Sequence, residues 1–455
     1  MTGAFTVKLA AARAVTAVSR RAGRGGTSLP GKLLMRLEPA AIVRLAERLP
    51  QGSAVISATN GKTTTAAMVA GILERTGARL VHNRAGANMA GGVAATLAAA
   101  AGPRGRIAGD LGLFEVDELW LDQVAADLRP RAILLANLFR DQLDRYGELD
   151  TIADRWAQVA AATTARLVLN ADDPTVADLG RSAADPLFFG VDDDRLALPE
   201  MQHAADAKHC RRCGAPYRYD AIYLGHLGHY HCDACGATRP EPAIRARDVE
   251  LEGVRAARFT LDAPQGTVCV ALPLPGLYNV YNALGAAALT LALGAPLAAV
   301  HAGLQAVAPA FGRAETVHVG GRELSILLVK NPAGANEVLR TLVLETGQHD
   351  LLCVLNDKTA DGRDVSWVWD ADFEVLAHRV SRAVCSGTRA AEMALRLKYA
   401  GVPPERIEVV PSLENAVDRA VGIADDRLIA LPTYTAMLEL RELLARRGLV
   451  EGQFE

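Results

Sequence analysis

No run of about 18 or more apolar residues occurs in this 455-residue chain, so no segment is suited to cross a membrane as a helix. Arg13, Arg20 and Arg21 interrupt every early stretch that could serve as the apolar region of a signal peptide. The cytosol is therefore the expected compartment. Charge of one sign is scarce as well. Lys and Arg number 49 against 52 Asp and Glu, a net charge of −3, so no overall field draws the chain to a polyanion and no nucleic-acid partner is expected. Cysteine is sparse, with seven in all. Four form a spaced cluster, whereas Cys269, Cys353 and Cys385 stand singly in apolar runs, where buried structural thiols are expected.

Half the chain is hydrophobic and 22% is charged, a composition suited to two or three folded domains at roughly 100–200 residues each. Residues 1–50 form a basic segment: Lys8, Arg13, Arg20, Arg21, Arg24, Lys32, Arg36, Arg44 and Arg48 face only Glu38 and Glu47. Such a segment either lies on the anionic inner face of a membrane or packs on the following domain with its basic face in water. Both readings stay open. Beyond it, apolar runs alternate with Ala-rich helical stretches: "SAVIS" then "TTTAAMVAGILERTG", "RAILLANL" then "TIADRWAQVAAATT", "ARLVLN" then "TVADLGRSA". This alternation predicts an α/β fold with a parallel sheet covered on both faces. A second series runs from "ELSILLVKNPAG" through "DLLCVLND" and "RAVCSGTRAAEMALRLKYAG" to "RLIALPTYTAMLELRELLARRG". The expected division is a central domain over 51–312, interrupted at 205–242, and a C-terminal Rossmann-like α/β domain over 313–455.

The stretch "SATNGKTTTA" follows a strand and opens a helix. A phosphate loop needs backbone N–H groups at a helix N-terminus, a lysine for the β- and γ-phosphates and a hydroxyl for Mg²⁺. Gly61, Lys62 and Thr63 supply these in order, although Ile56 stands where a strict Walker loop has its first glycine. An ordinary strand–helix turn is the competing reading.

Cys210-x₂-Cys213 and Cys232-x₂-Cys235, eighteen residues apart, have the spacing of a tetrahedral four-thiolate zinc site. Gly214 and Gly236 each follow a second cysteine and permit the tight turn of a zinc ribbon. Four thiolates leave no open position for water, so the expected role is structural. His209, His226, His229 and His231 are nearby alternatives as ligands. A disulfide pair is the rival, disfavoured in the cytosol. Lys208, Arg211, Arg212 and Arg218 with the ribbon's tyrosines would suit a nucleic-acid module, but the segment interrupts what reads as a nucleotide-binding domain.

Five segments in one order carry a resemblance. "ATNGKTTT", "FEVDEL", "LANLFRDQLDRYG", "GLYNVYNALGAA" and "FGRAE" resemble the ATP loop, acidic strand end, Asn-x-x-x-Asp segment, adenine-contacting helix start and interdomain arginine of the Mur ligase superfamily. The resemblance implies ATP and Mg²⁺ as cofactors, and a nucleotide site made of Thr59, Asn60, Gly61, Lys62, Thr63, Thr64, Asn279, Asn282 and Arg313. Lys62 would be catalytic, and Thr63 and Glu115 would hold Mg²⁺. Ala58 replaces the family's first loop glycine. Gln142 stands where the family has a metal-binding histidine, a weaker ligand that puts the second Mg²⁺ in question, and "FFGVDDDRLALPEM" lacks the lysine that relatives modify. Charge stabilisation of the transferred phosphoryl group then falls to Lys62, Mg²⁺ and Arg313.

Only about fifty residues precede the loop, too few for the UDP-gripping domain of ordinary Mur ligases. With the ribbon and the strings "KNPAGANEVL", "ADGRDVSWVWD" and "YTAML", the chain resembles one subfamily, MurT, the synthetase subunit of lipid II isoglutaminyl synthase. The resemblance implies ATP-dependent amidation of the D-isoglutamate α-carboxyl of a peptidoglycan stem peptide, on lipid II or an earlier precursor. Ammonia would come from a GatD-type glutaminase partner. It also implies that an aspartate of this chain completes the partner's Cys-His pair. Asp357, Asp361 and Asp364 are candidates, and Asp357, directly after an apolar strand, is preferred; aspartates here also suit turns and helix caps. Trp367 and Trp369 are expected to pack a core or the subunit interface. The rival functions are a Mur-like or folylpolyglutamate-like ligase adding an amino acid, and a non-enzymatic zinc-ribbon scaffold that binds nucleic acid.

Overall fold

The computed structural model describes residues 5–10, 13, 28–83, 87–102, 106–141, 149–203, 205–308 and 315–450. Gln142 and Arg313, and much of the basic segment, lie outside the described residues.

Strand β1 (Ser53–Ser57) is buried along its whole length, and its side chains divide between two faces as the period of two demands. Ala54 and Ile56 enter one core cluster and Val55 the other. Strand β4 (Ala132–Leu135) divides likewise, with Leu134 on one face and Ile133 and Leu135 on the other. With β2 (Leu80–His82), β3 (Leu111–Glu115), β5 (Arg166–Asn170) and β6 (Leu187–Val191), these strands form the parallel part of a nine-stranded sheet. Helices Lys62–Arg75, Leu277–Ala292 and Leu297–Gln305 cover one face. Helices Leu29–Leu37, Ala41–Ala46, Ala90–Ala100, Leu121–Leu128 and Leu149–Ala162 cover the other, where Phe5 and Leu9 are also buried.

The sheet ends in an antiparallel edge. Strand β9 (Ile244–Glu252) runs parallel to β6, and β10 (Ala256–Ala263) and β11 (Gly266–Leu272) then fold back in turn. Between β6 and β9 the chain leaves the sheet to form a small hairpin, β7 (Arg218–Leu224) and β8 (Leu227–His231).

A second sheet holds β12 (Glu315–Val319), β13 (Arg322–Ile326), β14 (His349–Val354), β15 (Val380–Ser386), β16 (Ile407–Val409) and β17 (Arg427–Pro432), in the order β12-β13-β17-β14-β15-β16. Only β12 pairs antiparallel. Residues beyond the carboxyl ends of β1, β3 and β4 face residues beyond those of β13, β14 and β17 across one cavity, the location where open α/β sheets display functional groups. Among the described residues, no helix is long and apolar enough to cross a membrane.

Candidate active site

The loop between β1 and helix Lys62–Arg75 is clamped by backbone and amide groups from the end of β4. Asn60 N donates to Asn137 Oδ1 at 2.9 Å, and Asn137 Nδ2 donates back to the Asn60 carbonyl at 3.0 Å. Thr59 N donates to the Asn137 carbonyl at 3.0 Å, and Phe139 N donates to Thr59 Oγ1 at 3.0 Å. Gly61 closes the loop with φ +84°, where only glycine is free of steric cost. A Cβ at this position would lie 2.0 Å from Asn282 Oδ1, so the helix carrying Asn282 approaches within contact of a residue that has no side chain.

Lys62 is buried, 8% exposed. Its Nζ donates to Glu118 Oε2 at 2.8 Å and to the carbonyl of Ala58. Burial alone would lower its pKa, but the carboxylates of Glu118, Asp117 and Glu115 outweigh burial and raise it. The side chain therefore remains an ammonium ion, as a phosphate ligand must. Thr63 Oγ1 donates to Glu115 Oε1 at 3.1 Å. Two hard oxygen donors at this separation match an edge of an Mg²⁺ octahedron, about 2.9 Å for ligands at 2.0–2.1 Å. Asn83 fixes the strand end, accepting from Glu115 N at 2.9 Å and donating to its carbonyl at 2.8 Å.

An amide relay joins the start of helix Leu277–Ala292 to the loop. Thr65 Oγ1 donates to Asn282 Oδ1 at 3.2 Å, Asn282 Nδ2 to Asn279 Oδ1 at 3.0 Å, and Asn279 Nδ2 to the Pro275 carbonyl at 2.8 Å. From the second sheet, Asn331 exchanges side-chain hydrogen bonds with Asn60 at 3.0 and 3.3 Å. Lys330 Nζ reaches the Thr59 carbonyl at 3.1 Å and Asp141 Oδ2 at 2.6 Å. Thr59 to Thr64, Glu115, Asn279 and Asn282 all line one cavity of about 320 Å³, the size range of a small-ligand site.

Glu118, Asn137, Lys330 and Asn331 were not assigned from sequence, although each lies in a segment whose resemblance is recognisable. Their signal is that they are polar residues two to five positions beyond a buried strand end.

The sulfur atoms of Cys210, Cys213, Cys232 and Cys235 lie within 4.8 Å of one another. Two of the separations, Cys210 to Cys235 and Cys213 to Cys232, are 3.6 and 3.5 Å, near the edge of about 3.8 Å expected for a tetrahedron with Zn–S of 2.3 Å. The two knuckles match: Gly214 N donates to the Cys210 carbonyl and Gly236 N to that of Cys232, and the glycines have φ of +76° and +72°. The chemistry and spacing of the donors fit zinc. His226, His229 and His231 turn instead to Asp173, to the Val191 carbonyl and to Asp220. At the far end of the same hairpin, Leu224 and Leu227 line the loop's cavity.

Asp357 lies just beyond β14, lining a surface recess apart from the cavity. Its Oδ1 accepts from Thr388 Oγ1 at 2.8 Å and its Oδ2 from Arg389 Nε at 2.7 Å. The hydrogen bonds from Thr388 and Arg389 hold its pKa below the usual carboxylate range. Asp361 is buried and accepts from the backbone and hydroxyl of Thr435, and Asp364 caps the turn at Ser366 N, 2.8 Å away. Trp367 packs against the second sheet's core, whereas Trp369 is 49% exposed.

Family models describing a Mur ligase middle domain and a MurT ligase C-terminal region match residues 56–214 and 328–437. The chain is 34% identical to the lipid II isoglutaminyl synthase subunit MurT of Streptococcus pneumoniae, over 98% of each chain. It is 32% identical to the subunit of that name from Staphylococcus aureus, over 94% of this chain and 95% of the relative. A pseudomurein peptide ligase of Methanothermus fervidus shares the fold at a TM-score of 0.66 and 23% identity, over 88% of this chain and 79% of that one. Mycobacterium tuberculosis folylpolyglutamate synthase complexed with ADP does so at 0.62 and 16%, over 90% and 94%. With both domain models matched in order and with identity above 30% along nearly its whole length, the chain belongs to the MurT family of Mur-type ligases.

Proposed function

We propose that the protein is the synthetase subunit of a glutamine-dependent amidotransferase acting on the D-isoglutamate α-carboxyl of lipid II or a closely related cell-wall precursor. The central unit is residues 51–312 with its ribbon at 205–242, and the C-terminal unit is 313–455. The observation that carries the reading is the convergence of Gly61, Lys62, Thr63 and Glu115 on a cavity closed from the other side by the second sheet. ATP fits there with its phosphates on the loop amides.

The acceptor carboxylate attacks the γ-phosphorus and the bond to the bridging oxygen breaks, giving an acyl phosphate and ADP. Ammonia then attacks the acyl carbon, the C–O bond to phosphate breaks, and the nitrogen loses a proton. Phosphorylation is needed because oxide is an impossible leaving group from a carboxylate. Lys62 leaves Glu118 for the phosphates and stabilises the charge that develops as they part. Thr63 and Glu115 would hold Mg²⁺, which screens the phosphate oxygens from one another.

Asp357 serves a different centre. A half-buried carboxylate at a surface recess, already fixed by Thr388 and Arg389, suits the third member of a Cys-His pair contributed by a GatD-type glutaminase, where it orients the imidazole. Asp361 and Asp364 are committed to their own fold. Work on a lipid-linked acceptor places the complex at the inner face of the membrane.

The decisive experiment reconstitutes the chain with a glutaminase partner, ATP, Mg²⁺, glutamine and lipid II. ADP release and a mass change of the stem peptide from carboxyl to amide are expected. ADP release by the isolated chain with an added amino acid, and no need for glutamine, would replace this reading by that of an amino-acid-adding ligase.

A further inference from the structure

Within the loop's cavity the carboxyl of Glu337 has no part in the mechanism above. Glu337, on helix Pro332–Val343, is 2% exposed, lines the cavity, and its Oε1 is buried with no hydrogen-bond partner. The nearest cation, Arg340 Nη1, stands 3.9 Å away, and that guanidinium is spent on the carbonyls of Tyr223 and Leu196. A buried acceptor without a donor costs free energy, and burial accordingly pushes the Glu337 carboxyl up to about 7. A ligand carrying an N–H group would relieve that cost.

The surroundings define the ligand. Leu224, Leu227, Leu274, Val338 and the ring of Tyr278 share this cavity with Glu337. Tyr278 lies at the start of helix Leu277–Ala292, whose Asn282 touches the phosphate loop. Four residues at 1.5 Å each put the two about 6 Å apart along the helix axis. The slot is thus apolar, walled by an aromatic ring, and one step further from the phosphates than Asn282. A flat heteroaromatic base belongs in such a slot, stacked on its apolar surface.

From this geometry we infer that Glu337 accepts a hydrogen bond from the exocyclic amino group of adenine and is the residue by which the protein selects the base of its nucleotide. The inference rests on the reading of the cavity as an ATP site and extends it to a specificity-determining group carried by the C-terminal unit.

The test compares binding of ATP with that of purine riboside 5′-triphosphate, which lacks only the 6-amino group, in the full chain with its partner. Wild type should prefer ATP by about ten- to a hundredfold, the worth of one hydrogen bond to a charged acceptor. Glu337→Leu should bring the two affinities together by weakening ATP and leaving the analogue unchanged. Glu337→Gln keeps an acceptor oxygen and should retain the preference, which separates recognition from misfolding. Equal binding of both nucleotides by wild type, or a preference that persists in Glu337→Leu, overturns the inference. So does a variant with an unchanged preference that needs more ammonium for turnover, because the carboxyl would then serve the nitrogen donor. Failure of wild type to bind either nucleotide would instead remove the ATP-site reading itself.

Discussion

Lys62 and Asp357 both sit just beyond the carboxyl end of a parallel strand, yet their surroundings are opposite. Lys62 is buried, turned inward onto Glu118 and enclosed by groups from both sheets. Asp357 lines a surface recess, its carboxylate held by Thr388 and Arg389. The first arrangement has within one chain what a small molecule requires: donors, acceptors and walls. The second presents a carboxylate fixed at the surface, an arrangement that the proposed sharing of an active site with a partner would use. In the proposed scheme, enclosure is what separates a group that serves a bound ligand from one that serves a partner.

That contrast can be broken by mutation. The largest effect is expected from Asp357→Ala in the reconstituted complex: glutamine-supported amidation should fall by about 10⁴-fold, the cost of losing the orienting member of a triad, while turnover with added ammonium is retained. Loss of both activities would take Asp357 out of the partner's site. Lys62→Ala should reduce ADP formation by about 10²–10³-fold with either nitrogen source, in a protein whose melting curve shows that it still folds. ADP production that survives the change would dissociate the loop from the chemistry. Asn331→Ala removes the amide exchange with Asn60 across the two sheets and the cap that Asn331 Oδ1 gives to Gly334 N at the start of helix Pro332–Val343. At about 0.5–1.5 kcal/mol, a KM for ATP raised roughly two- to tenfold is expected, read by steady-state kinetics; an unchanged KM would mean that the second sheet does not support the loop.

Much of this was legible in the chain. "SAVIS" reads as a strand because it is a short apolar run, and it is one; the cysteine pairs and the Gly61-Lys62-Thr63 turn could be read because their geometry is set within a few residues. The antiparallel edge was only half legible: β10 and β11 alternate around a turn, but β9, "IRARDVELE", carries charge on its outward face and gives a weak apolar signal. Lys330 and Asn331 act on residues 271 positions away, and the unpartnered state of Glu337 exists only once helix Pro332–Val343 packs against the first unit. No local pattern encodes such roles, because they arise from which strand ends the topology brings together. Among the aspartates the sequence could only rank candidates, because burial of Asp361 and the turn cap made by Asp364 depend on the packed structure; these contacts support the proposal at Asp357, which the variant tests.

The hairpin β7–β8 carries the four-thiol cluster at its root and supplies Leu224 and Leu227 to the cavity wall at its tip. If the cluster holds zinc, metal and nucleotide occupy two ends of one lever, and any coupling between them is thermodynamically reciprocal. A nucleotide that is bound more tightly when metal is present must, by the same factor, raise the protein's affinity for that metal. At equilibrium with a chromophoric chelator, the protein should then keep more of its metal when ATP is added, and a metal distribution indifferent to ATP would show that the ribbon is an isolated brace and not a means by which zinc supply reaches the nucleotide site.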